Sequence, residues 1–289
     1  MTAAALPTEQ ITAPGVYPDL GLEDYHAHAD WLSSTGARKL LPPSCPALFR
    51  WEQDNPPGPK DVFDVGHAAH DMVLGGGPEI VRIEAVNWLT KAAKQQRDEV
   101  RARGAVPVLA ATHDEVKAMA ESVMAHPVAG RLLEHGTGQP ETSLFWFDET
   151  SGVKRRARLD WLPSQSGRRL IVPDLKSCIS AQRDEFAKAA ARHGYPAQAA
   201  YYLDGVHALG LAEHAVFVFV AVEKTPPYLV NVIQLDVTAM RIGAAMNRTA
   251  IDTFADCTRT GTWPGYADDV EIASMPVWFE RAHEQELTS

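Results

Sequence analysis

Cysteine is scarce in this sequence of 289 residues, which contains three cysteines at wide spacing. Cys45, Cys178 and Cys257 form neither a paired framework nor the closely spaced motif of a zinc site. An odd number of distant thiols is typical of a protein in a reducing compartment without structural disulfides. Three scattered cysteines also exclude an iron–sulfur cluster that is held by four cysteine thiolates.

Long apolar runs are lacking as well. The longest run, AVFVFVAV at 215–222, is far shorter than the roughly 20 residues that span a bilayer as a helix. The first residues, MTAAALPTEQITAPG, have no basic region and no apolar core, so nothing in them indicates export. We therefore expect a cytoplasmic protein without a membrane partner.

A phosphate-binding P-loop is also missing. The glycine-rich stretch GGGP at 75–78 lacks the lysine and the hydroxyl residue that such a loop requires. No nucleotide cofactor is therefore expected.

Basic residues are outnumbered by acidic ones, with 27 Lys and Arg against 37 Asp and Glu and a net charge of −10. This balance argues against broad, non-specific binding of nucleic acid but leaves room for a local basic track. Two tracks are present, KAAKQQRDEVRAR at 91–103 and KRRAR at 154–158. Each could be a solvated surface or a contact to phosphates.

The order of sequence patterns predicts an α/β protein. Residues 1–20 show no periodicity and are expected to form a flexible arm, followed by one domain at 21–289 with a helical part (21–135) and a sheet core (140–289). Helices are expected at 30–41, 61–76, 84–103, 112–134, 183–193, from 196 onwards, and at 237–259. Strands are expected at 142–148, 153–162, 168–176, 215–222 and 228–235. This order describes a central mixed β-sheet flanked by helices.

The stretch LIVPDLKSC at 170–178 ends an apolar strand with two opposite charges. Side chains alternate between the faces of a strand, so Asp174 and Lys176 share one face. Because unpaired charges are costly to bury, we expect the pair at the open end of the sheet, facing a cleft or a cation. If the preceding strand is its neighbour, Asp160 converges on the same point. Two carboxylates and a lysine suit Mg²⁺ or Mn²⁺.

Two helical patterns supplement this strand. Gln198 and Tyr202 lie four residues apart and share a helix face, so they could hold a phosphate or a base edge, or fill a core contact. His70 ends GHAAH at 66–70, where an imidazole could serve as a ligand or as a structural side chain.

In order and approximate spacing, these residues resemble the PD-(D/E)XK nuclease superfamily, and more narrowly its exonuclease VIII (RecE-like) branch, related to the RecB nuclease domain. That branch combines a Gly-x-x-x-His helix, an aspartate ending a strand, an acid-x-Lys strand and a Gln-x-x-x-Tyr helix. The resemblance extends from about residue 24 to the end and includes LSSTGARKLLPPSCPALFRWE (32–52) and WPGY (263–266). The literal PD dipeptide belongs to the acid-x-Lys element, and the other acidic position of the motif falls on Asp160. The resemblance implies the restriction-endonuclease-like core of this superfamily.

By this resemblance, His70, Asp160, Asp174 and the backbone carbonyl of Leu175 bind the metal ion. Glu141, at the start of the first strand of the core, matches a glutamate often found there, and it is expected either to bind the ion or to support the site.

The same resemblance gives catalytic roles to Asp160, Asp174 and Lys176. The lysine would orient or deprotonate the attacking water, and a metal ion beside it is expected to lower its pKa. Gln198 and Tyr202 would support the lysine or contact DNA. Arg156 and Arg158, on the same face as Asp160, are candidate DNA-binding residues, since guanidinium forks bind phosphates well.

For function, the resemblance implies a Mg²⁺-dependent exonuclease, with Mn²⁺ as an alternative, acting 5′→3′ on linear double-stranded DNA ends. The reaction would leave 3′ single strands for phage-type homologous recombination. The resemblance also implies a ring-like homo-oligomer and a single-strand annealing protein as partner. The gene would belong to a phage or prophage in a bacterial host. Two alternatives remain: a related nuclease with another polarity or substrate, such as single strands or flaps, and a catalytically silent DNA-binding module of the same fold.

Overall fold

The structure is a computed structural model that describes residues 11–56, 65–164 and 169–284. The helices in these ranges are α1 (Leu22–Ala27), α2 (Ser34–Lys39), α3 (Pro46–Asp54), α4 (Val65–Leu74), α5 (Lys91–Ala102), α6 (Ala110–Ala125), α7 (Ala129–Leu132), α8 (Arg183–His193), α9 (Tyr195–Ala208), α10 (Val237–Thr260) and α11 (Val277–Ala282). The strands are β1 (Gly15–Tyr17), β2 (Leu32–Ser33), β3 (Ile80–Ile83), β4 (Val106–Leu109), β5 (Gly138–Phe147), β6 (Lys154–Pro163), β7 (Arg169–Cys178), β8 (His214–Glu223) and β9 (Val230–Ile233). None of these helices combines the length and apolar character that crossing a membrane requires.

The strands form two larger sheets and one pair. The first sheet has the order β1-β5-β6-β2, and its long central hairpin joins β5 and β6 through a turn at 148–153. The Asp148 carboxylate accepts hydrogen bonds from the backbone and side chain of Ser151, and Gly152 takes a left-handed conformation, which suits glycine. The second sheet has the order β7-β8-β9, with β7 parallel to β8, and β3 pairs with β4.

The strands β6 and β7 are neighbours in space without forming a regular hairpin. Within the described ranges, the ladder partners of β6 are β5 and β2, and β7 pairs with β8. The two strands nevertheless lie against each other, and the backbone N–H of Leu175 donates to Asp160 at 2.7 Å. The Asp160 side chain thus links β6 to β7 next to Asp174, although the two strands are not ladder partners.

Helices cover both faces of the strands. On one face, α2, α8, α9 and α10 pack over a core that includes Trp146, Phe186 and Tyr201. On the other face, α4 and α6 pack over Leu175 and Val220. Each of these five side chains is at most 5% exposed, so burial of both faces fixes the strand ends that carry the charged residues.

The helix α9 begins directly after α8 because the chain reverses at Gly194. This glycine has φ 69° and ends α8 in the left-handed conformation, which favours glycine at a helix end. Pro196 then occupies the first turn of α9, where its missing N–H costs little. On the far side, Asn247 of α10 donates to the carbonyl of Ala197 at 2.9 Å. α10 therefore holds the start of α9 in place.

We expect Gly243→Ala to destabilise the fold by about 1–3 kcal/mol, as overpacking typically does. A Cβ at Gly243 would lie 2.1 Å from the carbonyl oxygen of Pro196, which is backbone and cannot move aside cheaply. Urea denaturation measures the loss. Gly265→Ala is the matched control, because a Cβ there meets nothing within 4 Å, and equal stability of the two variants would contradict the close approach of α9 and α10.

The N-terminal half differs from the sequence expectation in three places. Residues 1–10 of the expected arm and 61–64 of the expected helix lie outside the described residues. Residues 15–17 of the expected flexible arm form the strand β1, which pairs with β5. The helix expected at 84–103 begins at Lys91, after the unforeseen strand β3, and the helix expected at 112–134 divides into α6 and α7. Short strands carry little sequence pattern, because their partners lie far away in the chain.

Candidate metal centre

Glu141 and Asp160 face each other across the β5–β6 hairpin. The flanking pairs Pro140–Trp161 and Thr142–Leu159 are in ladder register, which places these two acidic residues opposite each other. Glu141 has φ 51°, an uncommon value for a residue other than glycine and one that is concentrated at functional sites. The left-handed conformation interrupts the regular strand at the position where the carboxylates meet.

His70 reaches the same point from α4. One ring nitrogen, Nε2, lies 3.0 Å from an Asp160 oxygen, and the other, Nδ1, lies 3.4 Å from Glu141 Oε1. Ligand atoms of the three residues all lie within 4.8 Å of one another. One imidazole and two carboxylates at this separation fit a divalent cation such as Mg²⁺ or Mn²⁺.

Asp174 and Lys176 form an ion pair beside this cluster. Lys176 Nζ lies 2.6 Å from Asp174 Oδ2, and Gln198 Nε2 donates to Asp174 Oδ1 at 2.9 Å. Asp174 is 1% exposed, and Lys176 and Gln198 each contact one of its oxygens. The Asp174 carboxylate therefore faces the lysine and the α9 glutamine, while the three-residue group is formed by His70, Glu141 and Asp160.

Lys176 also lines a polar cavity of about 390 Å³. Besides the lysine and Gln198, its lining includes Arg38 of α2 and Tyr195 and Tyr202 of α9. Arg38 is fixed by a hydrogen bond to the carbonyl of His193, and Lys176 Nζ lies 5.5 Å from the centre of the Tyr195 ring. The cavity thus presents two cationic groups and several hydroxyl groups to a ligand.

The sequence matches a described family over most of its length. Residues 45–276 fit the model of a family described as "PDDEXK-like domain of unknown function (DUF3799)". The chain belongs to this PDDEXK-like family. No curated protein matches the sequence.

One solved structure shares the fold of this chain. A crystal structure from Eubacterium rectale, named "Putative exonuclease", superposes with a TM-score of 0.58 at 13% sequence identity, over 91% of this chain and 98% of that chain. A second structure, named SSO0001, reaches a TM-score of 0.35 at 15% identity, over 83% of this chain and 82% of that one, which is too low for inference. The predicted superfamily and the predicted α/β core are therefore confirmed.

The candidate metal centre and its surroundings bring together several of the residues that the sequence singles out, but the three-residue group differs from the expected ligand set. His70 and Asp160 lie together, with Glu141 as the third member instead of Asp174. The N–H of Leu175 is bound to Asp160, which brings this part of β7 against the cluster. Asp174 lies beside this group, with its oxygens in contact with Lys176 and Gln198.

The two candidate DNA-binding arginines face inward. Arg156 is 6% exposed, and it donates to the carbonyl of Tyr25 and lies over that ring. Arg158 donates to Glu141 at 2.6 Å and to the carbonyl of Leu20 at 2.7 Å. These partners argue against the phosphate contacts expected from KRRAR, because residues near the N-terminus cover this face of β6.

In the candidate metal centre, neighbouring charged groups outweigh burial in setting the pKa values of His70 and Asp160. Burial by itself lowers the pKa of His70, but Asp160, Asp71 and Glu141 outweigh it and raise that pKa to about 11. Burial would raise the pKa of Asp160, but His70 and Lys176 hold it below its usual value. The imidazole is therefore positively charged at neutral pH while the carboxylates surround it.

Burial and neighbouring charges also shift the pKa values of Asp174 and Lys176. Burial, reinforced by repulsion from Asp160, raises the pKa of Asp174 to about 7. Burial alone lowers the pKa of Lys176, but attraction to Asp174 and Asp160 outweighs it, so the pKa lies above its usual value. Without a cation in the site, the two carboxylates thus favour the charged ammonium of Lys176.

We expect Mn²⁺ binding to release about one proton per site near pH 8, because metal ions bind neutral imidazole and the His70 pKa lies near 11. For the same reason the affinity should rise about tenfold per pH unit below that pKa. Calorimetry in buffers of different ionisation enthalpy measures the release. His70→Asn should bind Mn²⁺ weakly and release no proton, and a heat independent of the buffer in the wild type would contradict ligation by His70.

Two residues beside the candidate centre escape the sequence patterns. Glu141 is expected from the resemblance, but its left-handed conformation and its position opposite Asp160 are seen only in the structure. Arg38 and Tyr195 enter the site because α2 and the α8–α9 turn meet beside Lys176. Arg38 lies in the segment at 32–52 that carries part of the resemblance, and Tyr195 lies three residues before Gln198, but no pattern singles out either residue.

Proposed function

We propose that this PDDEXK-like protein is a divalent-cation-dependent deoxyribonuclease. The observation that carries the proposal is the convergence of His70, Glu141 and Asp160 beside the Asp174–Lys176 pair. Carboxylates, an imidazole and a charged lysine are the groups that phosphodiester hydrolysis requires, because negative charge develops on the phosphate and on the leaving oxygen. Structural salt bridges alone do not require a histidine and two acids at one point, with one of the acids in a left-handed conformation.

In this proposal, His70, Glu141 and Asp160 hold the cation, and Asp174 and the Leu175 carbonyl are further candidate ligands. A bound cation stabilises charge on the phosphate oxygens and lowers the pKa of a coordinated water. Lys176 would orient that water, or would take up its proton if a bound cation lowered the lysine pKa enough to leave the amine neutral.

Residues of α9 and α2 complete the site. Gln198 holds Asp174, and Tyr202 lines the cavity beside Lys176. Arg38 in the same cavity offers a guanidinium to a neighbouring backbone phosphate, a task for which its planar fork is suited. This assignment supplies the phosphate contact that Arg156 and Arg158 are too enclosed to make.

For the substrate, we propose the ends of linear double-stranded DNA, degraded 5′→3′ to leave 3′ single strands. The resemblance to the exonuclease VIII branch supports this choice, as does the exonuclease name of the Eubacterium rectale protein with the same fold. The same resemblance supports phage-type recombination in a bacterial cytoplasm, a phage or prophage origin, an annealing protein as partner, and a ring-like oligomer whose basic residues line an inner channel. A monomer in light scattering would contradict the ring.

The assay that tests this function compares end-labelled linear and circular duplexes with Mg²⁺ or with a chelator. The proposal predicts release of mononucleotides from linear DNA only, and only with the cation. Cleavage of circles, flaps or single strands instead would favour the related nuclease with another substrate. Binding of DNA without any cleavage would favour the silent DNA-binding module, although retention of the complete charged site argues against it.

A further inference from the structure

Arg158 ties the candidate metal centre to the N-terminal part of the chain. It lies on β6 opposite Ser143 of β5. Its Nε donates to Glu141 Oε2 at 2.6 Å, and one terminal nitrogen donates to Ser143 Oγ at 3.0 Å and to the Leu20 carbonyl at 2.7 Å. Because Glu141 precedes Ser143 by two residues on β5, one guanidinium spans the opposite and the diagonal position of the ladder.

The contact with Arg158 leaves one oxygen of the Glu141 carboxylate directed toward His70. Arg158 occupies one carboxylate oxygen, and the other lies 3.4 Å from the imidazole of His70. The left-handed backbone of Glu141, with φ 51°, costs conformational energy and persists only where neighbouring contacts hold it. Of the contacts described for the Glu141 side chain, the one to Arg158 is the shortest.

The N-terminal residues 15–27, which we term the strap, enclose Arg158. Within the strap, β1 adds to the edge of β5 with Tyr17 opposite Ser143, and the Leu20 carbonyl accepts from Arg158. The ring of Tyr25 lies 6.0 Å from the guanidinium, and the Arg158 side chain is left 15% exposed. The match to the PDDEXK-like family begins at residue 45, so the strap precedes the matched region.

We propose that Arg158 is a positioning residue that fixes Glu141 as a ligand, and that the strap keeps Arg158 in place by shielding the pair from water. A shielded ion pair is stronger than an exposed one because solvent and salt screen it less. Cation affinity and docking of the strap are therefore coupled, and the coupling acts in both directions. The inference rests on the metal centre of the proposed function but not on the reaction or the substrate.

A double-mutant cycle on Mn²⁺ affinity tests the path through Glu141. Arg158→Met should weaken Mn²⁺ binding about tenfold, the lower end of what loss of a residue supporting a metal ligand costs. In a Glu141→Gln background the same change should have little further effect, because the carboxylate it positions is gone. Ser143→Ala, which leaves the Glu141 contact intact, is the matched control and should bind Mn²⁺ nearly as the wild type does.

Hydrogen exchange tests the reciprocal effect on the strap. Saturating Mn²⁺ should slow exchange of the β1 amides in the wild type and should leave it unchanged in Arg158→Met. If Arg158→Met does not fold by circular dichroism, Arg158→Lys retains the charge without the three-way fork, and it should show a smaller loss of affinity.

The positioning role would be overturned if Arg158→Met bound Mn²⁺ as tightly as the wild type. It would also be overturned if the affinity losses of Arg158→Met and Glu141→Gln added up in the double variant. Equal β1 exchange with and without Mn²⁺ in the wild type would overturn the coupling to the strap. An absence of nuclease activity with these binding effects intact would count against the proposed function and leave the inference standing.

Discussion

Lys176→Ala should reduce hydrolysis of linear DNA by about 10³-fold, within the range typical of losing a group that transfers a proton or positions the water. The lysine forms an ion pair with Asp174 at 2.6 Å, is attracted electrostatically to Asp160, and lines the polar cavity. No other described lysine lines that cavity, so no second ammonium group can take over the role of Lys176 there. Single-turnover rates on an end-labelled duplex measure the loss.

The Lys176→Ala variant should remain folded. Removing one partner of a buried ion pair is costly when it leaves a charge behind, but the pKa of Asp174 is already about 7. The aspartate can therefore take up a proton, and it keeps its hydrogen bond from Gln198. Lys188→Ala on the exposed surface of α8 is the matched control and should be fully active; a Lys176→Ala rate close to that of the wild type would place the reacting centre elsewhere.

Asp160→Asn should weaken Mn²⁺ binding by at least about 100-fold and reduce hydrolysis to background. The loss of a metal ligand should exceed the 10- to 100-fold cost of losing a supporting residue. Asp160 is the carboxylate nearest to His70, at 3.0 Å, and it also accepts from the Leu175 N–H. The amide oxygen of asparagine can keep that backbone contact, so the variant isolates the loss of charge.

Thermal unfolding with and without Mn²⁺ checks this expectation directly. A ligand that binds the folded chain raises its melting temperature, so Mn²⁺ should stabilise the wild type and not Asp160→Asn. Asp114→Asn is the control, because Asp114 lies at an exposed ion pair with Arg82 and should leave the Mn²⁺ response unchanged. An equal Mn²⁺ shift in the wild type and in Asp160→Asn would remove Asp160 from the ligand set.

The sequence predicts the charged strand ends because alternation and helix spacing are local properties. Asp174 and Lys176 do share a site, and Gln198 of the predicted helix does bind Asp174. The confirmed α/β core likewise follows from runs of helix and strand pattern, each of which depends on neighbouring residues.

What the sequence does not predict depends on contacts between distant parts of the chain. The conformation of Glu141 is set by the hairpin with β6, and the strap residues pair with β5 across more than a hundred residues. The KRRAR track illustrates the same point: Arg155, on the opposite face to Arg156, binds Asp204 and stacks against Tyr201. Helices cover one face of the KRRAR segment and the strap covers the other, although its charges alone would predict a solvent-exposed segment.

The most direct test of the central claim is anomalous diffraction from a wild-type crystal soaked in Mn²⁺. The account predicts the strongest manganese peak among His70, Glu141 and Asp160, next to Lys176. A strongest peak at another place, or these three side chains pointing apart at saturating Mn²⁺, would contradict a shared metal centre.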